Sequence, residues 1–241
     1  LLLIFALMLF GSAGCSAVER FFLFMPTNLP HFNDLTPWTK DDGEVIGYAR
    51  EVESPVNIWL MLHGNGGQAS HRMYAIACFS EQDSVYILEY PGYGARAGVP
   101  SRETFDRAAQ DAYLLLREQY PETPVSVAAE SIGSGPASTL AGLPAPPDKF
   151  VLIVPFDRLA SVAKGHFPAF LIDLVLQSDW DNAALLSNYA GPIDIFGAQD
   201  DTVIPVRHAK ALAEALPGAN LVIVDGGHND WSLDCRVEIR K

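Results

Sequence analysis

The stretch "VSVAAESIGSG", from Val125 to Gly135, passes from a run of apolar and β-branched residues into a cluster of small residues. The first part is typical of a strand buried on both faces, and Ser131 stands where that strand ends. Small residues two places before and after a serine, here Ala129 and Gly133, allow the sharp strand-to-helix turn of a nucleophile elbow. Ser131 is therefore a candidate nucleophile; the alternative is an ordinary hydroxyl in a glycine-containing loop.

Strand-like and helix-like segments alternate along the rest of the chain, which has no internal repeat. Apolar or alternating runs predict strands within these segments: 44–52, 56–64, 84–92, 124–131, 149–156, 192–198 and 220–227. Helical spacing and capping residues predict helices over Ser101–Tyr120 and Val206–Gly218. Alternation of this kind indicates an α/β fold with a mostly parallel central sheet of about eight strands and helices on both faces.

Composition limits the function classes. The net charge is −13 and no basic stripe is present, so we expect no nucleic-acid partner, because phosphate binding needs clustered Lys and Arg. Beyond Cys15, the chain has two cysteines, Cys78 and Cys235, which form neither a zinc motif nor a disulfide framework. We interpret both as structural residues, free or paired.

The first residues indicate export. Leu1–Phe10 is wholly apolar but shorter than the roughly 20 residues that span a bilayer. It is followed by "GSAGCS", which fits a signal-peptide cleavage zone and resembles a bacterial lipobox with Cys15 as the lipidated residue, although Ser12 stands where Leu is usual. We therefore predict a leader over residues 1–15, a lipid anchor in the membrane, and a bacterial cell-envelope location facing the periplasm or exterior. A plain secretory signal or an N-terminal membrane helix is the alternative.

A serine nucleophile needs a base and an acid that orients the base. His228 follows the last predicted strand in "VDGGHNDW", and "FGAQDDTVIP" offers Asp200 and Asp201 after the preceding strand. Counting from the strand end at Gly197 selects Asp200, whereas the register to the following helix, which starts near Pro205, favours Asp201. The order Ser, Asp, His along the chain is that of one large class of serine enzymes.

A fourth loop, "HGNGG" from His63 to Gly67, follows a buried strand. Glycines let backbone N–H groups approach a developing oxyanion without obstruction. We expect one such donor at Asn65 and the second at Ile132, the residue after the serine. The alternative is a glycine loop that only turns the chain.

The motifs "HGNGG", "EYPGYG", "AESIGSG", "GAQDDTVIP" and "GGHND" together resemble the α/β-hydrolases, and in particular the small lidless serine hydrolases that include acyl-protein thioesterases of the ABHD type. The similarity covers residues 45–231. It implies a single domain over residues 16–241 and a minimal lid. The family's triad falls on Ser131, Asp201 (or Asp200) and His228.

The resemblance implies hydrolysis of carboxylic esters or thioesters of a small-molecule or acylated substrate. It implies no metal, no cofactor and no protein partner. An amidase or peptidase on the same fold, or a catalytically inactive envelope binding protein, is the alternative. The region Phe156–Asn188, where relatives insert a lid, predicts two or three brief helices; its apolar residues are core packing or the wall of an acyl pocket, and His166 there has no assigned role.

Overall fold

The computed structural model describes residues 17–30 and 34–240 of the chain. The predictions for the leader and for Cys15 lie outside these residues. Eight strands make up the sheet: β1 (Thr36–Thr39), β2 (Val45–Arg50), β3 (Ile58–Leu62), β4 (Ser84–Leu88), β5 (Val125–Glu130), β6 (Phe150–Ile153), β7 (Ile193–Ala198) and β8 (Asn220–Val224). Their order across the sheet is β1-β2-β4-β3-β5-β6-β7-β8.

The sheet is mostly parallel, as predicted. Strands β4, β3, β5, β6, β7 and β8 pair parallel to one another, and β2 pairs antiparallel with both β1 and β4. Because the parallel strands share one direction, their carboxyl ends meet at one edge, where ligands bind in sheets of this kind. The serine, aspartate and histidine loops all begin at that edge.

The helices occupy the connections between strands. They are α1 (residues 17–23), α2 (Met73–Ile76), α3 (Arg102–Gln119), α4 (Ser134–Thr139), α5 (Leu159–His166), α6 (Ala169–Val175), α7 (Asn182–Leu186) and α8 (Arg207–Ala215). The predicted start of α3 is confirmed: the Ser101 side chain accepts from the backbone N–H of Thr104, and the Thr104 hydroxyl accepts from the N–H of Ser101.

Both faces of the sheet are buried, each by its own apolar cluster. Ile58, Leu60 and Leu62 of β3 pack on the face covered by α3 and α8, while Trp59 and Met61 pack on the other. The second face is covered by two short segments, residues 69–79 and 231–239, rather than by long helices. The continuous apolar runs of the central strands follow from burial on both sides.

Of the two interpretations of the apolar residues between β6 and β7, core packing is wrong for the middle helix and for Phe167. The structure has three brief helices there, α5, α6 and α7, but α6 contains no buried residue. Phe167, Phe170 and Leu174 are each more than half exposed to solvent. These side chains form surface instead of core.

Candidate active site

Ser131 lies on a sharply turned backbone directly after β5. Its φ angle is +54°, in the left-handed region that non-glycine residues rarely adopt. The side-chain hydroxyl of Ser134 donates to the Ser131 carbonyl at 2.7 Å and so holds the turn. A Cβ atom at Gly133 would lie 2.3 Å from the Leu62 carbonyl oxygen of β3. Glycine at this position therefore lets the turn pack against the neighbouring strand.

Three side chains from three loops meet at this turn. The Nε2 atom of His228 lies 2.9 Å from the Ser131 hydroxyl oxygen, and its Nδ1 atom lies 2.7 Å from a carboxylate oxygen of Asp201. All three are largely shielded from water: the side chains of His228 and Asp201 are 11% and 1% exposed, and Ser131 as a whole is 7% exposed. The arrangement can pass a proton from the hydroxyl to the imidazole while the carboxylate holds the ring.

The structure distinguishes the two aspartates. Asp201 is buried, and its second carboxylate oxygen accepts the backbone N–H groups of Val203 and Ile204, both at 2.8 Å. Asp200, one residue earlier, is exposed, and its backbone N–H donates to the Gly226 carbonyl. Only one of the two carboxylates can face the histidine because the backbone hydrogen bonds fix the register of the loop. Asp201 is the one in contact with His228.

The glycine loop after β3 lies beside the serine turn, and hydrogen bonds to neighbouring segments hold it in place. The side chain of Asn65 accepts from the backbone N–H of Met25 and the hydroxyl of Tyr93, and it donates to the Leu23 carbonyl. The hydroxyl of Tyr90 donates to the His63 carbonyl. The aromatic residues of "EYPGYG" thus support this loop. The assignment of the backbone N–H groups of Asn65 and Ile132 as oxyanion donors stays a prediction.

In the part of the chain that the structure describes, no group of three or more His, Cys, Asp or Glu side chains is arranged to hold a metal ion. Cys78 and Cys235 are both free, and Cys78 is buried. His166, for which the sequence suggested no partner, has its Nε2 atom 2.9 Å from the Val203 carbonyl.

Comparisons with known proteins agree with this architecture. No family model matches the chain. An uncharacterised protein of Mycobacterium tuberculosis is 30% identical over 179 residues, and the lysophosphatidylserine lipase ABHD12 of Danio rerio is 27% identical over 185 residues. These matches cover 72% and 68% of this chain but only 63% and 48% of the two relatives. Among solved structures, the esterase Pf2001 of Pyrococcus furiosus superposes with a TM-score of 0.64 at 16% identity, covering 88% of this chain and 94% of the esterase.

The chain has the α/β-hydrolase fold. Two observations establish the fold: the superposition on nearly all of the Pyrococcus esterase and the order of the strands. The sequence relatives agree with it. Within this fold the serine turn, the aspartate loop and the histidine loop occupy the carboxyl edge of the sheet.

One residue of the site that the sequence did not predict is Glu130, which precedes the serine. Its carboxylate is buried and accepts the backbone N–H of Gly64 at 2.9 Å and the indole N–H of Trp231 at 3.0 Å. Gly64 belongs to the glycine loop, and Trp231 follows His228 by three residues. A single carboxylate therefore connects the serine turn, the glycine loop and the histidine loop.

Arg72 supplies the opposite charge. Its guanidinium lies 3.9 Å from the Glu130 carboxylate and donates to the carbonyls of Gly64 and Gly66. Burial alone would raise the pKa of Glu130, but the charge of Arg72 and the hydrogen bonds from Gly64 and Trp231 hold that pKa below its usual value. Glu130 is consequently ionised at neutral pH, with its lone pairs directed at the loops it holds.

The only sequence signal for this cluster was an acidic residue at the end of an otherwise apolar strand. Charged residues are almost never fully buried unless they are paired. Glu130 in "VSVAAES" was thus a candidate for a buried ion pair. Its partner could not be found from the sequence because Arg72 lies 58 residues away, before β4 and α3.

The Glu130→Gln variant tests this cluster. An amide keeps the size of the side chain but leaves Arg72 without a counter-charge and directs N–H groups at one of the existing donors. We expect a loss of roughly 3 kcal/mol in the free energy of unfolding at pH 7, measured by urea denaturation. Glu103→Gln is the control, since Glu103 makes only an exposed ion pair with Arg107, and should cost less than about 1 kcal/mol.

Comparison of the same variant with wild type also tests how the contribution of Glu130 to the free energy of unfolding depends on pH. Because the pKa of Glu130 is lower in the folded than in the unfolded chain, its contribution to stability is complete above a pH of about 4.5 and is lost as the pH falls through the folded value. The difference in stability between wild type and Glu130→Gln should therefore shrink below that pH. A difference that stays constant from pH 7 to pH 3 would contradict the assigned ionisation.

Proposed function

We propose that the chain is a serine hydrolase that cleaves carboxylic esters or thioesters through an acyl-enzyme intermediate. The observation that carries the proposal is the pair of hydrogen bonds joining Ser131 to His228 and His228 to Asp201. The strained backbone at Ser131 supports it further, because strain of this kind persists where a side chain must be held in a functional position.

In this mechanism His228 acts first as a base and then as an acid, and the other residues each have one role. His228 takes the proton of the Ser131 hydroxyl as the oxygen attacks the carbonyl carbon, and Asp201 holds the imidazole tautomer and stabilises the imidazolium. The backbone N–H groups of Asn65 and Ile132 hold the oxyanion of the tetrahedral intermediate. The imidazolium then gives its proton to the leaving alcohol or thiol. A water molecule, deprotonated by the same histidine, hydrolyses the acyl-enzyme.

An apolar acyl group is the substrate class that the surroundings favour. A cavity of about 210 Å³ lies between α1, α5 and α6, and nine of its ten lining residues are apolar: Val18, Phe22, Leu23, Ala163, Phe167, Leu171, Ile172, Val175 and Leu176. Leu23, which lines this cavity, accepts a hydrogen bond from the side chain of Asn65 in the glycine loop. The Danio rerio relative named above is a lysophosphatidylserine lipase by name, and lysophosphatidylserine is likewise an acyl ester.

The direct test of the reaction class is a substrate panel with a matched pair of serine variants. Wild type should hydrolyse p-nitrophenyl esters faster than the corresponding p-nitroanilides. Ser131→Ala should lower kcat on the order of 10⁶-fold, because the nucleophile is lost. Ser138→Ala is the control, since that buried hydroxyl only donates to the Ser134 carbonyl, and kcat should stay within the same order of magnitude. Undiminished turnover by Ser131→Ala refutes the proposal, and faster anilide cleavage favours the amidase alternative.

The neighbouring aspartates provide a second matched pair. Asp201→Asn should lower kcat on the order of 10⁴-fold with little change in KM, because an amide selects the wrong tautomer of His228. Asp200→Asn should leave kcat unchanged, because that side chain is exposed and its loop is held through backbone atoms. Steady-state kinetics on one ester measures both variants. Equal losses in the two proteins, or a loss at Asp200 alone, count against the assigned acid.

A further inference from the structure

Exposed apolar side chains are concentrated on α1, on α6 and at Phe167, which lies between α5 and α6. Phe21 is 78% exposed and Phe170 is 64% exposed, and Phe22, Phe167 and Leu174 are each more than half exposed. These five residues define what we call the phenylalanine face. Single exposed apolar residues are ordinary, but a contiguous group of large ones marks a surface that is covered in the functional state.

The phenylalanine face is one continuous surface. The rings of Phe21 and Phe22 contact edge to face, with centroids 5.2 Å apart, and the ring of Phe22 lies 6.5 Å from that of Phe167. Phe170 and Leu174 are one helical turn apart and therefore share a side of α6. A buried carboxylate, Glu19, fixes α1 to this region by accepting the backbone N–H groups of Gln177 and Ser178. The face is thus held in place by the fold.

The charges around the face favour a neutral, apolar partner. Lys164 and Asp173, which lie on α5 and α6, are paired with each other at 2.5 Å. The chain as a whole carries a net charge of −13, which disfavours binding to an anionic surface. Attraction of this face to a partner therefore has to come from burial of apolar area rather than from charge.

The sequence before α1 indicates what this partner is. Leu1–Phe10 consists only of apolar residues, and six residues separate it from the start of α1. Six residues reach at most about 22 Å when fully extended. If Leu1–Phe10 is retained as a membrane helix, its bilayer lies within that distance of the start of α1, the helix that carries Phe21 and Phe22. If the leader is cleaved and Cys15 is lipidated, the lipid is attached two residues before α1.

We propose that the phenylalanine face rests on the surface of a neutral lipid bilayer, with its aromatic side chains inserted at the level of the headgroups. Helices with an apolar face bind membranes in this way through buried apolar area. The orientation would direct the cavity between α1, α5 and α6 toward the bilayer. Passage of an acyl chain from the membrane into that cavity is an additional consequence that rests on the proposed function, whereas the binding itself does not.

Tryptophan fluorescence gives a direct test because the native tryptophans are buried, where a quencher in a vesicle does not reach them. All four native tryptophans, Trp38, Trp59, Trp180 and Trp231, are at most 5% exposed. The variant Phe170→Trp places an indole on the phenylalanine face of the full chain. The control, Leu114→Trp, places one at an exposed position on α3, outside the face. Each protein is mixed with phosphatidylcholine vesicles that carry brominated acyl chains, which quench only indoles inserted among them.

We expect the emission of the Phe170→Trp variant to shift to shorter wavelength and the contribution of its added indole to fall by about twofold or more. The emission of the Leu114→Trp variant should stay unchanged. The response should persist in about 0.5 M salt. Salt at this concentration shortens the Debye length well below about 10 Å and screens charge attraction, whereas it does not weaken burial of apolar area.

Three results overturn the proposal. The first is no quenching of the Phe170→Trp variant, and the second is equal quenching of both variants. The third is a blue shift of the Phe170→Trp variant without vesicles that grows with protein concentration, which would assign the face to a second copy of the chain. Because none of these readouts needs Ser131, loss of the proposed function would leave them unchanged.

Discussion

The strand-to-helix turn at Ser131 is the constraint on which the rest of the site depends. A left-handed φ angle at a serine is unfavourable by on the order of 1–2 kcal/mol, and the fold holds it through contacts on both sides. On one side Gly133 packs directly against the carbonyls of β3, where no side chain fits. On the other, the Ser134 hydroxyl closes the turn. The position of the serine hydroxyl, 2.9 Å from His228, is therefore set by backbone packing.

Glu130 extends that constraint to the neighbouring loops. A buried ion pair adds little to stability compared with apolar packing, and its value lies in fixing one arrangement when every hydrogen bond is made. Here the carboxylate is bonded to Gly64 and Trp231, and the guanidinium of Arg72 is bonded to the carbonyls of Gly64 and Gly66. The loop that faces the serine and the loop that carries the histidine are thereby attached to the same rigid strand end. The cluster accounts for the burial of two charged residues in the interior of the molecule.

Much of the fold could be predicted from the sequence, because central parallel strands produce continuous apolar runs and the ends of those runs locate the edge where the loops gather. Strand β1 was missed, since "TPWT" is short, contains proline and is mostly exposed. The arrangement of Ser131, His228 and Asp201 followed from chain order, but the choice between Asp200 and Asp201 depended on loop register. The pairing of Glu130 with Arg72, and the exposure of Phe170, depend on tertiary contacts that periodicity does not encode.

The central claim is that Ser131 is a nucleophile made reactive by His228. Labelling with a fluorophosphonate probe followed by peptide mass spectrometry tests it most directly, because the probe bonds covalently only to an activated hydroxyl. We expect one adduct per chain, on the peptide that contains Ser131, and a much slower reaction when His228 is replaced by alanine. A chain that stays unmodified, or an adduct on a different residue, would contradict it.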